Sequence, residues 1–149
     1  MTSDLPILAG AHAAVLAACR TEYPHEVCGL IGARDGVLVR VWPVRNVAEP
    51  QAGACGFLMD SRAQLRAMRE MEDADLELGA IYHSHPNTPA VPSDGDVRLA
   101  AYPEAAHLIA SLVDPDQPEV RAWRIADGQA TELTTRLIPS VSSTQLDRG

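Results

Sequence analysis

Three short, largely apolar runs set the limits on this fold: Val27–Ala33 (VCGLIGA), Gly79–Tyr82 (GAIY) and His107–Val113 (HLIASLV). Each is short for a buried helix and lacks the apolar/polar alternation of a half-exposed strand, so each reads as a strand covered on both faces. A sheet covered twice needs helices, and the chain supplies three candidates. Gly10–Tyr23 is Ala-rich, carries Val15, Leu16 and Cys19 at helical spacing, and stops at Pro24. A second helix, about Arg62–Leu76, follows a cap at Asp60 or Ser61. A third opens at Ser93 and runs through Val97, Leu99 and Ala100 towards Tyr102, ahead of Pro103. Asp35-Gly36 turns the chain back into a strand at Val37–Val44, and Asp127-Gly128 joins Val120–Ile125 to Ala130–Leu133 as a hairpin. Asn46–Gly56 is loop-like, with a short strand expected at Phe57–Met59. The expected class is α/β (α+β): a mixed sheet flanked by helices, with the strand order left open.

With 149 residues the chain fits one domain, placed here at residues 1–138, with a Ser/Thr-rich tail at 139–149 expected to be flexible. A formal charge of −8 excludes nucleic acid as a partner, because there is no basic stripe to displace phosphate counterions. No apolar run approaches the ~20 residues of a membrane span, and no basic cluster suits a membrane surface. Asp4 stands where a secretory leader would carry Lys or Arg. The odd, scattered set Cys19, Cys28 and Cys55 suits a reducing interior, so the expected location is cytoplasmic.

The chemistry is concentrated in His83-Ser84-His85, followed eight positions later by Ser93 and then Asp96. Residues i and i+2 at a strand end face one way, so both imidazoles can reach one metal. A carboxylate from the next helix would be a third ligand, and two His with one carboxylate leave a position open, as catalytic zinc sites do. Each piece also has a duller reading. His-x-His suits two partly exposed polar residues, and Ser-x-x-Asp is a capping-box pattern. The two roles are compatible for Ser93 but compete for Asp96, since a carboxylate bound to metal is not free to cap. A hydrolase further needs a carboxylate outside the ligand shell to move protons to the leaving amine. Glu26, immediately before the first apolar strand, is the candidate; its alternative is a solvated loop acid after Pro24.

Together, Glu26 ahead of VCGLIG, the strand ending in His83-Ser84-His85-Pro86, and Ser93-x-x-Asp96 resemble the JAMM (MPN+) zinc metalloproteases, in the expected order over residues 7 to 135. The resemblance implies that His83, His85 and Asp96 ligate Zn2+, that Glu26 is the general acid/base, and that Ser93 polarises the scissile carbonyl. It also implies a cytidine-deaminase-like fold, a curved, mostly antiparallel sheet between helices. Met71–Asp75, Ile81–His85 and Asp96–Ala100 look like small bacterial members of the CysO-cysteine peptidase type, which release cysteine from the C-terminal Gly-Gly of a ubiquitin-like sulfur-carrier protein. Some of that group lack a proline after the second His; Pro86 is present here, as in most of the wider family.

The resemblance therefore implies a zinc metallopeptidase of cysteine biosynthesis whose partner is such a carrier. Loops 46–57 and 86–92 are expected to flank a groove for its tail. Two alternatives stay open: a broader deconjugase cutting carrier–lysine isopeptide bonds, and a non-catalytic MPN-type scaffold. The oligomeric state is open as well, a homodimer included. Cys28 sits in an apolar strand and reads as a packing residue rather than a nucleophile; Cys19 and Cys55 read as inert. His12, His25 and His107 lack partners at ligand spacing, and Trp42 and Trp123 read as core. A zinc deaminase is excluded, because no Pro-Cys-x-x-Cys completes its ligand set.

Overall fold

In the computed structural model, which describes residues 4–48 and 56–139, every one of the three apolar runs lies at the centre of one continuous sheet. The elements are β1 (Asp4–Leu8), α1 (Ala9–Glu22), β2 (Cys28–Arg34), β3 (Val37–Val44), α2 (Ser61–Asp73), β4 (Glu77–His85), α3 (Asp94–Arg98), β5 (Ala106–Ser111), β6 (Glu119–Ala126) and β7 (Gln129–Ile138). Pairing runs β1-β3-β2-β4-β5-β6-β7 and closes on itself. The β2–β3, β2–β4, β5–β6 and β6–β7 pairs are antiparallel, whereas β1–β3, β1–β7 and β4–β5 are parallel. The class is α+β, with a mixed, mostly antiparallel sheet that curls into a barrel.

Alternation along β2, β4 and β5 sorts side chains between two cores. Ile31, Ala33, Ala80, Tyr82, Leu108 and Ala110 join Ala11, Val15 and Cys19 of α1. The opposite residues, Cys28, Leu30 and Ile81, join Trp42, Ala67 and Met71 under α2. Both helices thus cover sheet residues that would otherwise face water, each buried aliphatic side chain contributing roughly 1.5–3 kcal/mol. Gly29 faces α1 because the fully buried Tyr82 ring lies where its Cβ would project.

Four details differ from expectation. β1 was unforeseen: Asp4-Leu5-Pro6-Ile7-Leu8 is a strand because β7 lies beside it, from Asp4↔Thr134 to Leu8↔Ile138. The same partnership extends β7 to Ile138, past the expected Leu133. Phe57–Met59 is no strand; it contributes one isolated bridge, Asn46↔Met59. Both α2 and α3 stop early. Asp75 adopts φ +58° after α2, and α3 ends at Arg98, with Leu99 left 62% exposed and Tyr102 at φ +59°. Trp42, Trp123, Cys19 and Cys28 are buried as expected. Cys55 and the tail beyond Pro139 lie outside the described residues.

Candidate metal centre

Strand β4 pairs antiparallel with β2, Cys28 opposite His83, and parallel with β5, His85 beside Ser111. Cross-strand partners share a face, so continuing the β2–β4 register by two residues brings Glu26 opposite His85 on the side that carries both imidazoles. Ser84, pointing the other way, fastens this junction: its backbone N–H donates to the Val27 carbonyl at 3.0 Å, and its Oγ accepts from the Val27 N–H at 2.9 Å.

His83 Nε2, His85 Nε2 and Asp96 Oδ2 form a nearly equilateral triangle with sides of 3.1, 3.2 and 3.1 Å. Tetrahedral zinc with bonds of ~2.0–2.1 Å separates its ligand atoms by about 3.3 Å, so the donors stand close to where such an ion requires them. All three residues are buried, and among the described residues they form the one group able to hold a metal. The His85 ring is oriented from behind, its Nδ1 2.8 Å from the accepting Pro89 carbonyl, which leaves Nε2 for the ion. His83 Nδ1 is buried without a hydrogen-bond partner among the described residues, and the Phe57 ring stacks on this imidazole at 4.5 Å.

The expected competition for Asp96 does not arise. A full capping box is present: Ser93 Oγ accepts from the Asp96 N–H at 3.0 Å, and Asp96 Oδ2 accepts from the Ser93 N–H at 2.9 Å. The oxygen that closes the box is also the one facing both imidazoles, because a carboxylate oxygen has two lone-pair directions. One atom is thus placed to serve both capping and ligation. Ser93 itself is exposed, and its hydroxyl proton is left over for another acceptor.

The electrostatics follow from this crowding. Burial pushes the Asp96 carboxyl upward, but hydrogen bonds with His83 and His85, the His83 charge and the Ser93 N–H outweigh it and hold Asp96 far below the usual carboxylate range. Burial lowers His85, yet its contacts with Asp96 and the Pro89 carbonyl, together with the Asp96 and Glu26 charges, raise it on balance. Burial raises Glu26 above its ordinary value, partly opposed by His83 and His85 and reinforced by Asp96. Glu26 is therefore within electrostatic reach of all three triangle residues without belonging to the triangle. Cys19, by contrast, is a thiol pushed up to about 12 by burial, unsuited to nucleophilic work.

A cavity of about 1040 Å³ opens beside Glu26, bounded by Asn46, Ala48 and Gly56 on one loop and Pro86, Asn87 and Thr88 on the other. These are the described parts of the two loops expected to flank a groove; residues 49–55 lie outside the description. None of the triangle residues lines it. Three residues of the 46–57 loop, given no individual role by the sequence, bear on the site: Asn46 and Gly56 line this cavity beside Glu26, and Phe57 stacks on His83. Their importance comes from contacts across the fold, and no local pattern announces it.

The family described as prokaryotic homologs of the JAB domain matches residues 8–126, from the end of β1 to the end of β6. The chain belongs to that family. This JAB-domain protein is 38% identical over 127 residues to the CysO-cysteine peptidase of Mycobacterium tuberculosis, covering 84% of this chain and 85% of the relative. It is 37% identical over 112 residues to the probable TtuB-protein conjugate cleaving protease of Thermus thermophilus, covering 75% and 70%. The solved structure of protein DSY2949 from Desulfitobacterium hafniense aligns with TM-score 0.80 and 34% identity, over 92% of this chain and 94% of that one. With peptidase relatives and a buried His-His-Asp cluster, this JAB-domain protein is a hydrolase of JAMM type. No helix among the described residues is long and apolar enough to cross a membrane.

Proposed function

We propose that this domain, residues 1–138, is a zinc peptidase that hydrolyses the amide bond after the C-terminal Gly-Gly of a ubiquitin-like sulfur-carrier protein and releases cysteine. The observation that carries the reading is the donor triangle of His83, His85 and Asp96 with Glu26 standing outside it on the same face. The substrate follows from the likeness to the mycobacterial peptidase.

Zinc held by the triangle would supply a Lewis acid and an acidified water. The protein's own groups do the rest. Glu26 takes a proton as the carbonyl is attacked and delivers it to the departing amine. Burial raises its carboxyl above the ordinary value, which favours handing the proton on to the amine. Ser93, with its oxygen fixed by the Asp96 N–H, donates its hydroxyl proton to the carbonyl oxygen as charge develops there. A Gly-Gly tail, lacking side chains, fits a groove between Asn46, Ala48 and Gly56 on one side and Pro86–Thr88 on the other, in extended form.

A second reading, cleavage of carrier–lysine isopeptide bonds, is favoured by the likeness to the Thermus conjugate-cleaving protease. A non-catalytic scaffold is disfavoured, because the donor set is whole. The test is hydrolysis of two carrier adducts, ending Gly-Gly-Cys and Gly-Gly-Lys, by zinc-loaded protein and by Glu26→Gln. A higher kcat/KM on the cysteine adduct, with a ~10²–10⁴-fold loss in the variant, is expected. Preference for the lysine adduct selects the second reading; undiminished turnover by Glu26→Gln removes the proton-transfer role.

A further inference from the structure

Glu26 is held in place by an arrangement that its own neighbours do not provide. The Asn46 amide uses all four of its hydrogen-bonding positions, and each reaches a piece of backbone near Glu26. Its Nδ2 donates to the Glu26 carbonyl at 3.0 Å and to the Gly56 carbonyl at 3.1 Å, while Oδ1 accepts from the Ala48 and Leu58 N–H groups at 3.0 and 2.9 Å. Backbone bonds from Val47 N–H to Leu58 O (2.7 Å) and from Asp60 N–H to Arg45 O (2.9 Å) extend the seam on both sides. One side chain therefore joins the segment before β2 to the strap 56–60, which lies across the site and carries the Phe57 ring onto His83.

Gly56 sits where this strap meets the Glu26 carboxylate. A Cβ built at Gly56 would overlap Cδ and both carboxylate oxygens of Glu26. A side chain here would compete with the acid for the same space. The acid is the end of a rotatable side chain, so it can give way without disturbing the barrel; what it cannot do is give way and stay where it is.

We propose that Asn46 and Gly56 are positioning residues for Glu26, Asn46 by tying the Glu26 backbone to the strap and Gly56 by leaving vacant the volume that the carboxylate fills. The proposal rests on the role given to Glu26 above. Gly56→Ala turns the carboxylate away while leaving the donor triangle and the strap backbone intact. Since misplacing a reacting group by about 1 Å can cost ~10²-fold, kcat falls ~10- to 100-fold. Asn46→Asp keeps both acceptor contacts, loses both donors, and lowers kcat in the same way.

The deciding experiment combines Gly56→Ala and Asn46→Asp with Glu26→Gln in zinc-loaded protein, using whichever of the two carrier adducts the parent hydrolyses faster. Bound zinc and Tm are measured on each variant, and a crystal structure is determined for Gly56→Ala. The expected result is one zinc per chain, a changed Glu26 rotamer beside an unchanged triangle, a fall in kcat for each single variant, and no further fall when Glu26 is already Gln. Full kcat in Gly56→Ala, an unmoved Glu26 side chain, or the same fold-loss in the Glu26→Gln background overturns the proposal. If Glu26→Gln alone is fully active, the general-base reading fails first and this inference falls with it.

Discussion

The proline-rich loop after His85 is fastened at three successive carbonyls, and removing one fastening has a calculable effect on metal binding. Thr88 O accepts from Ser111 Oγ at 2.7 Å, Pro89 O from His85 Nδ1 at 2.8 Å, and Ala90 O from Trp123 Nε1 at 3.0 Å. Ser111 and Trp123 are both buried, on β5 and β6, so the rigid sheet sets the height of the carbonyl that orients a ligand. Ser111→Ala removes the first fastening. A buried hydrogen bond is worth about 1 kcal/mol net, or about fivefold in the equilibrium constant for docking the loop. Loss of a ligand's orienting partner costs ~10–100-fold in metal affinity, and Ser111 acts on that partner at one remove. The zinc Kd of Ser111→Ala should therefore rise about fivefold, and that of Ser111→Ala with Trp123→Phe about 25-fold if the two act independently. Competition with a chromogenic chelator measures both, and kcat at saturating zinc should stay near the parent's. A Kd within twofold of the parent, alongside an unfolding free energy lowered by the expected ~1 kcal/mol, would show that the loop stabilises the fold without orienting His85.

The buried Tyr82 hydroxyl has no hydrogen-bond partner among the described residues, so Tyr82→Phe should raise unfolding stability by about 1 kcal/mol, or Tm by about 3 °C. A lower Tm would reveal a partner for that hydroxyl. His107 is held neutral, its pKa lowered to about 4 by burial and by the His83 charge. The unfolded chain takes up a proton near the ordinary value of 6.5, so this contribution is complete above that pH and disappears as the pH falls towards 4. Urea unfolding should show the parent losing about 3 kcal/mol more than His107→Gln between pH 7.5 and 4; parallel curves would refute the assignment. Asp60 caps α2 by accepting the Ala63 N–H at 3.0 Å, so Asp60→Ala should cost about 1 kcal/mol in the same measurement, with kcat unaffected. His85→Ala should bind less than one-tenth of the parent's zinc at equal free concentration, and full retention would remove His85 from the triangle.

How much of this was legible in the sequence depends on how far away the cause lies. The His83/His85 pair could be read because a strand's two-residue period puts both rings on one face. The Asp-Gly turns at 35–36 and 127–128 were equally local, with φ values of +52° and +81°, and +54° and +74°. Asp96 was readable as cap or ligand but not as both, since the sharing depends on where a single oxygen points. β1 was not readable: five residues with an internal proline make a poor strand until β7, some 130 positions on, supplies its partner. Asn46, Gly56 and Phe57 act on Glu26 and His83 across sequence gaps that carry no periodic signal. The end of α3 is tertiary as well, because Leu99 has the propensity to continue a helix but nothing to pack against.

The insertion of β1 between β3 and β7 has a consequence for how the molecule is made. The earliest-synthesised strand finds its longer partner only when residues 129–138 leave the ribosome, so every shorter nascent chain exposes two unpaired sheet borders. Until β7 docks, that incomplete ring offers its borders for pairing with neighbouring chains.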